Sequence, residues 1–230
     1  MKPQAREKTV ALVPMRHHSE RVAGKNYRKL GGFPLYHHIV RTLLVCPSID
    51  EVVIDTDSPV IAEDVQVTFP RVKTLNRPEH LRGDLVPMTE VLYHDMSQVE
   101  ADCYLQTHST NPFVKAETLE RALNRWRAER HLYDSVFSVT RLQTRLWDSA
   151  FRPLNHNPWL LLRTQDLPPL YVENSCFYLF SAELMKSSRR RIGDRPLLFE
   201  MDPLEALDID TEHDFLLAEA LMRSGRTSGE

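Results

Sequence analysis

The stretch Val13-Pro14-Met15-Arg16-His17-His18-Ser19-Glu20-Arg21-Val22-Ala23-Gly24-Lys25-Asn26 decides how the rest of the chain is read. It follows a short apolar run, residues 10–13, of the kind that forms a buried strand. A polar loop carrying Arg16, Arg21 and Lys25 then leaves the carboxyl end of that strand, and a helical pattern comes next. In an open α/β sheet ligands bind at such carboxyl ends, and three cations there suit an anion such as a triphosphate. The ordinary phosphate loop is excluded, because it needs a glycine five residues before Gly24 and that position is Ser19. Taken alone, three cations in fourteen residues are more often those of a solvated surface loop than of a ligand site.

Outward from this loop the pattern alternates. Residues 34–45 have Leu35, Ile39, Leu43 and Leu44 at helical spacing, with Pro34 suited to the first turn. Residues 51–55 are β-branched, and Ser58 can cap a helix running through Asp64. Strands are expected over 72–75, 103–107 and 135–140, and helices over 87–98 and 116–129. This succession predicts an α/β fold, a mainly parallel twisted sheet with helices on both faces. From about Arg141 the rhythm breaks into a stretch rich in Trp, Pro, Asn and Leu. Residues 141–172 are therefore read as an excursion from the main sheet, too apolar at Trp147, Trp159 and Leu160 to Leu162 to stay in water and so suited to a dimer contact. Strands at 172–180 and 196–201, a helix at 212–222 and a loose tail over 224–230 complete a single expected domain, residues 1–230.

Bulk properties narrow the function classes. A net charge of −3 gives no general attraction to nucleic acid or anionic membrane. No apolar run reaches the roughly 20 residues of a membrane span, and residues 1–8 lack a signal-peptide core. Cys46, Cys103 and Cys176 are odd in number and far apart, which fits reduced thiols in a cytoplasm. The pairs His17-His18 and His37-His38 lack metal-ligand spacing.

A second constellation is Leu207-Asp208-Ile209-Asp210-Thr211. As a strand it would send both carboxylates to one face, about 7 Å apart, where they could share a hard cation. As a turn it would open the last helix with acidic or threonine caps.

The first loop resembles the signature of the cytidylyltransferases that activate acidic sugars, the acylneuraminate enzymes and their octulosonate relatives. Pro14, Arg16, Ser19, Lys25 and Asn26 match the sialate pattern. Glu20 stands where that pattern has Lys and Ala23 where it has Pro, while Arg21 and Gly24-Lys25 resemble the octulosonate version. Four further strings match in order. Arg77-Pro78 through Gly83-Asp84 resembles a segment near base and ribose. Leu105-Gln106 through Ser109 resembles a sugar-contacting loop, with His108 and Thr110 departing from it. Arg163-Thr164-Gln165-Asp166 through Tyr171-Val172-Glu173-Asn174 resembles the family's arm, with Ser175 replacing a glycine. Asp208-Ile209-Asp210-Thr211 resembles its metal-binding motif, with Asp214 left to cap locally.

The resemblance implies a Rossmann-like nucleotidyltransferase acting as a homodimer, whose arm, residues 141–172, closes over the partner's site. It implies that CMP passes from CTP to the anomeric hydroxyl of an acidic 2-keto sugar with Mg²⁺. Arg16, Arg21 and Lys25 would hold the triphosphate, and Asp208 and Asp210 the metal. Pro14, Met15, Ser19, Asn26, Arg77, Gly83 and Asp84 would complete the nucleotide site. Gln106, Ser109, Arg163, Gln165, Tyr171 and Glu173 would face the sugar. Sialic, legionaminic, pseudaminic and octulosonic acids all remain open as the sugar. So does an inactive relative that binds nucleotide without turning over, and, from another class, an interaction module with no pocket.

Overall fold

The computed structural model describes residues 7–225; the first six residues of the polar N-terminal stretch and residues 226–230 of the expected tail lie outside it. The elements in chain order are β1 (Thr9–Met15), β2 (Lys29–Leu30), β3 (Phe33–Pro34), α1 (Leu35–Val45), β4 (Glu51–Thr56), α2 (Pro59–Thr68), β5 (Lys73–Asn76) and α3 (Met88–Gln98). They continue as β6 (Cys103–Thr107), α4 (Ala116–Glu129), β7 (Ser135–Leu142), β8 (Leu170–Ser181), α5 (Ala182–Ser188), β9 (Pro196–Glu200) and α6 (Glu212–Ser224). Seven strands form one sheet in the order β5-β4-β1-β6-β8-β7-β9. Only β8 runs antiparallel to its neighbours. The expected mainly parallel α/β sheet is therefore what forms.

Alternation along β1 explains both layers. Ala11 and Val13 face one apolar cluster with Ile39, Leu43, Val65, Leu119 and Leu123, drawn from α1, α2 and α4. Val10 and Leu12 face the other with Leu92, Met96 and Met185, drawn from α3 and α5. A third cluster joins Val22 of the first loop and Leu30 of β2 to Ile209, Phe215 and Ala218, so α6 folds back over the region after β1.

Three short elements escaped the sequence reading. β2 and β3 are a two-residue ribbon turned at Gly31 and Gly32, both at positive φ. They are too short to show a period. α5 is likewise short, capped by the Ser181 hydroxyl and closed at Arg189 in the left-handed region. Of the two readings of Leu207 to Thr211 the strand does not form and the turn does; the segment is irregular, and Thr211 caps α6 in a reciprocal box with Asp214. The cap won because the Thr211 hydroxyl and Asp214 carboxylate satisfy helix-end N–H groups that a further strand would leave orphaned.

The arm leaves the sheet where β7 and β8 extend beyond it as a hairpin, from Val139 opposite Glu173 to Leu142 opposite Leu170. Within it Trp159 is 91% and Leu161 88% exposed. The pairing slips between Phe137 and Val139, where β8 accommodates Ser175 at φ +59. That left-handed backbone is one that a glycine adopts without strain. The three cysteines are buried and unpaired, and no described helix is long and apolar enough to cross a membrane.

Beneath the carboxyl ends of β4 and β5 lies a buried charge cluster. Arg77 donates through Nε to Asp55 Oδ2 at 3.0 Å, with both side chains almost wholly enclosed. Asp95 of α3 is fully buried, and its oxygens meet no N–H or O–H donor among the described residues. Its contact with Asp55 is attractive only if one of the two carries a proton. Burial pushes both carboxyls up, Arg77 pulls them down, and Asp95 is pushed up to about 9. The folded chain thus keeps a proton that the unfolded chain sheds in the ordinary carboxylate range. Stability from this group is full at low pH and declines as pH rises toward the raised value. Asp95→Asn, which can still donate to Asp55, should therefore raise the melting temperature more at about pH 8.5 than at about pH 5. An equal change at both would mean that Asp95 is ionised in the fold.

Candidate active site

Four parallel strands end at one edge of the sheet, at Met15, Thr56, Asn76 and Thr107, and the next residue in each case is Arg16, Asp57, Arg77 or His108. After β1 the chain winds through β4 and β5 on one side and returns to β6 on the other. The loops after β1 and β6 therefore flank the point where the winding reverses, where open α/β sheets leave a crevice. A cleft of about 260 Å³ lies there. Seven of the nine expected nucleotide residues line it: Pro14, Met15, Arg16, Ser19, Lys25, Asn26 and Arg77. Gly83 and Asp84 instead border a larger cleft of about 950 Å³ against α3. Arg16, on the wall of the first cleft, pairs with Asp84, on the wall of the second.

The first loop is shaped by its own backbone and by two polar anchors. Gly24 sits at φ +61, and a Cβ there would lie 2.6 Å from the Tyr27 ring. The buried Asn26 donates to the Arg16 carbonyl at 2.7 Å and accepts from the Ser109 hydroxyl at 2.7 Å, linking the loops after β1 and β6. At the other side the His17 N–H donates to Asp57 Oδ1 at 2.7 Å, and its ring meets the Ser58 hydroxyl at 2.8 Å. Ser58 also caps α2, as its sequence predicts. No sequence signal pointed to its second partner. Gly83, in contrast, has no positive φ, and a Cβ there would make ordinary contact with Val86.

The cations meet the acidic motif directly. Lys25 Nζ donates to the Ile209 carbonyl at 2.8 Å and lies 3.2 Å from Asp210 Oδ1. Arg21 donates to the same oxygen at 2.8 Å. The loop after β6 holds the acidic segment from below: Ile209 N–H donates to the Thr110 carbonyl at 3.0 Å, and Asn111 reaches the Leu207 carbonyl. Asp208 Oδ1 is buried without a hydrogen-bond partner among the described residues, and burial raises that carboxyl. Among the described residues no three His, Cys, Asp or Glu side chains form a ready cage for a metal. Two carboxylates beside clustered cations nonetheless fit Mg²⁺, which takes one or two carboxylates and completes its shell with other oxygens.

The expected sugar residues divide. Gln106 is buried, with its carbonyl oxygen accepting from Arg191 at 2.6 Å. Its amide faces His108 Nε2 at 2.9 Å, so that nitrogen is the acceptor. Burial, then Arg191 and Lys25, push His108 down to about 4, which leaves the ring neutral near pH 7. Ser109 is occupied with Asn26. Glu173 accepts from the Tyr178 hydroxyl. Arg163, Gln165 and Tyr171 are exposed on the arm side and none lines the cleft. Arg191 is the residue that sequence reading missed, since it is the last of three consecutive arginines in an irregular loop and nothing local distinguishes it.

Residues 10–224 match the profile of the family described as Cytidylyltransferase. The chain belongs to that family. Among its relatives, it is 27% identical over 216 residues to N-acylneuraminate cytidylyltransferase A of Danio rerio, covering 91% of this chain and 49% of that protein. It is 30% identical over 228 residues to CMP-N,N'-diacetyllegionaminic acid synthase of Legionella pneumophila, covering 93% of this chain and 95% of that one. The chain thus spans about half of the first relative and nearly all of the second. A solved CMP:2-keto-3-deoxy-manno-octonic acid synthetase complexed with CTP has the same fold, with a TM-score of 0.70 at 19% identity over 95% of this chain and 99% of that chain.

Gly24→Ala tests the loop geometry. It should cost roughly 1–3 kcal/mol through positive φ and the clash with Tyr27, seen as a lower urea midpoint. An unchanged midpoint would show that the turn accommodates a side chain.

Proposed function

We propose that this cytidylyltransferase moves CMP from CTP to the anomeric hydroxyl of an acidic 2-keto sugar of the nonulosonate class. The observation that carries the reading is the meeting of Arg21 and Lys25 with Asp210 at the crevice of the sheet, in a chain of this family. The hydroxyl oxygen attacks the α-phosphorus, the bond from that phosphorus to the bridging oxygen breaks, and pyrophosphate leaves with the bridging electrons. The hydroxyl proton passes to solvent. Arg16, Arg21 and Lys25 hold the triphosphate and stabilise charge building on the departing pyrophosphate, which is most of what phosphoryl transfer asks of a protein.

Asp208 and Asp210 would hold Mg²⁺, which when bound supplies positive charge at the phosphates. Before substrate arrives, Asp210 keeps Arg21 and Lys25 gathered at one point. Asn26 and Ser109 hold the two loops at fixed separation, so the phosphates meet a preformed cradle. His108, neutral with its pKa near 4, is a weak base at pH 7, and the role it fits is orienting the Gln106 amide. The exposed apolar arm supports a homodimer in which Arg163, Gln165 and Tyr171 reach the partner's site.

The test is pyrophosphate release from CTP with Mg²⁺ across sialic, legionaminic, pseudaminic and octulosonic acids. The legionaminate-type acid comes first, because the relative matched over nearly its whole length is named for that product. Release with one sugar, and with CTP over ATP, GTP and UTP, is expected. Silence across the panel with CTP still raising the melting temperature would favour a nucleotide-binding relative without turnover, a reading to which Glu20 in the cleft lends support. Asp208→Asn and Asp210→Asn should each abolish turnover with the circular dichroism spectrum unchanged; full activity in either would remove that residue from the metal assignment.

A further inference from the structure

A sugar acid of the proposed class carries its carboxylate on the same carbon as the attacking hydroxyl. Whatever holds the carboxylate therefore fixes the nucleophile within a few ångströms of the α-phosphorus. Arg163 does not present an open fork for this: Nε and Nη2 both donate to the Asp166 carboxylate, at 2.7 and 3.1 Å, in an exposed pair. Arg191 does. It projects from the loop between α5 and β9, and its guanidinium lies 3.6 Å from the centroid of the Tyr178 ring. Tyr178 is directly opposite Gln106 in the β8–β6 register, so the two side chains share a face and one guanidinium engages both.

The remaining valences matter more. Among the described residues the only hydrogen bond of this guanidinium is Nη1 to Gln106 Oε1, at 2.6 Å. Glu173 lies 4.0 Å from Nη2, beyond hydrogen-bonding distance, and already accepts from the Tyr178 hydroxyl. Burial makes the charged form of Arg191 more costly than in water, yet arginine does not give up its proton. A half-buried cation with unused donors is thus held next to Gln106, whose amide leads to His108 on the wall of the cleft.

We propose that Arg191 reads the substrate's carboxylate from within the same subunit, stacked by Tyr178 and aimed by Gln106. The inference rests on the sugar-activating reaction proposed above. In it, Gln106 is a positioning residue whose carbonyl fixes the guanidinium and whose amide fixes the His108 ring. Two planar N–H groups can then meet both carboxylate oxygens, a geometry that lysine cannot reproduce.

The experiment compares wild type, Arg191→Met, Arg191→Lys and Arg163→Ala in pyrophosphate release with the sugar acid that the panel identifies and with its C1 carboxamide. Arg191→Met should lose about 10–100-fold in kcat/KM for the acid, as expected for removing charge-assisted hydrogen bonds, with the KM for CTP unchanged. Arg191→Lys should recover part of that loss. Wild type should prefer acid to amide, and Arg191→Met should lose that preference, which a merely structural role would not affect. Retained preference, or an equal shift in the CTP requirement, would overturn the inference and leave the reaction standing. Should Arg191→Met also lose the CTP-dependent rise in melting temperature, Arg191→Lys carries the same comparison. No release by wild type with any acid would instead overturn the reaction and this inference together.

Discussion

Lys25 ties together two segments that are 184 residues apart in the chain, because its ammonium is almost enclosed and must find acceptors. An enclosed ammonium without partners would cost several kcal/mol. The Ile209 carbonyl and Asp210 supply the partners, and the apolar contact of Val22 and Leu30 with Phe215 and Ala218 closes over the same place. The turn at Gly24, the anchoring of Asn26 and the course of the acidic segment over Thr110 all serve this closure. The site is therefore built between the first loop and the last helix, on a platform that neither provides.

Charge is arranged locally. With a net charge of −3 the chain has no general attraction for anions. At the crevice, however, Arg16, Arg21, Lys25 and Arg77 each stand against a carboxylate: Asp84, Asp210 in two cases, and Asp55. The exposed members of these pairs contribute little to stability, because water screens them. What the carboxylates do is hold the cations at set positions. Arg77 is the exception. Sealed against Asp55, it bounds the cleft as a fixed wall.

The parallel half of the fold was legible because its strands are short β-branched or apolar runs, and its helices carry one apolar face long enough to show a period. The first loop was legible as a cluster of cations at the sheet's edge because three of them follow a buried strand. Asp208 and Asp210 were legible as a pair but not as a conformation, since alternation and a helix cap draw on the same residues; the Thr211–Asp214 box decided it. Arg191 was not legible. Its significance comes from Tyr178 and Gln106, which meet only through antiparallel pairing of strands far apart in sequence. The partners of Ser58 and Ser109 were hidden for the same reason, as each looks inward to a residue from another loop.

The slip between β7 and β8 has a parity. Phe137 faces Tyr178 and Val139 faces Glu173, so two steps on one strand are matched by five on the other. Side chains alternate, and an odd count would ordinarily send Glu173 to the opposite surface from Tyr178. The turn of backbone through Ser175 restores the same side, which is why the Tyr178 hydroxyl can reach the Glu173 carboxylate. The arm is thus phased to the sheet by a single local twist. Removing one residue from 174–177 would leave an even count, with which ordinary alternation alone keeps Glu173 on the side of Tyr178 and the left-handed turn is no longer needed.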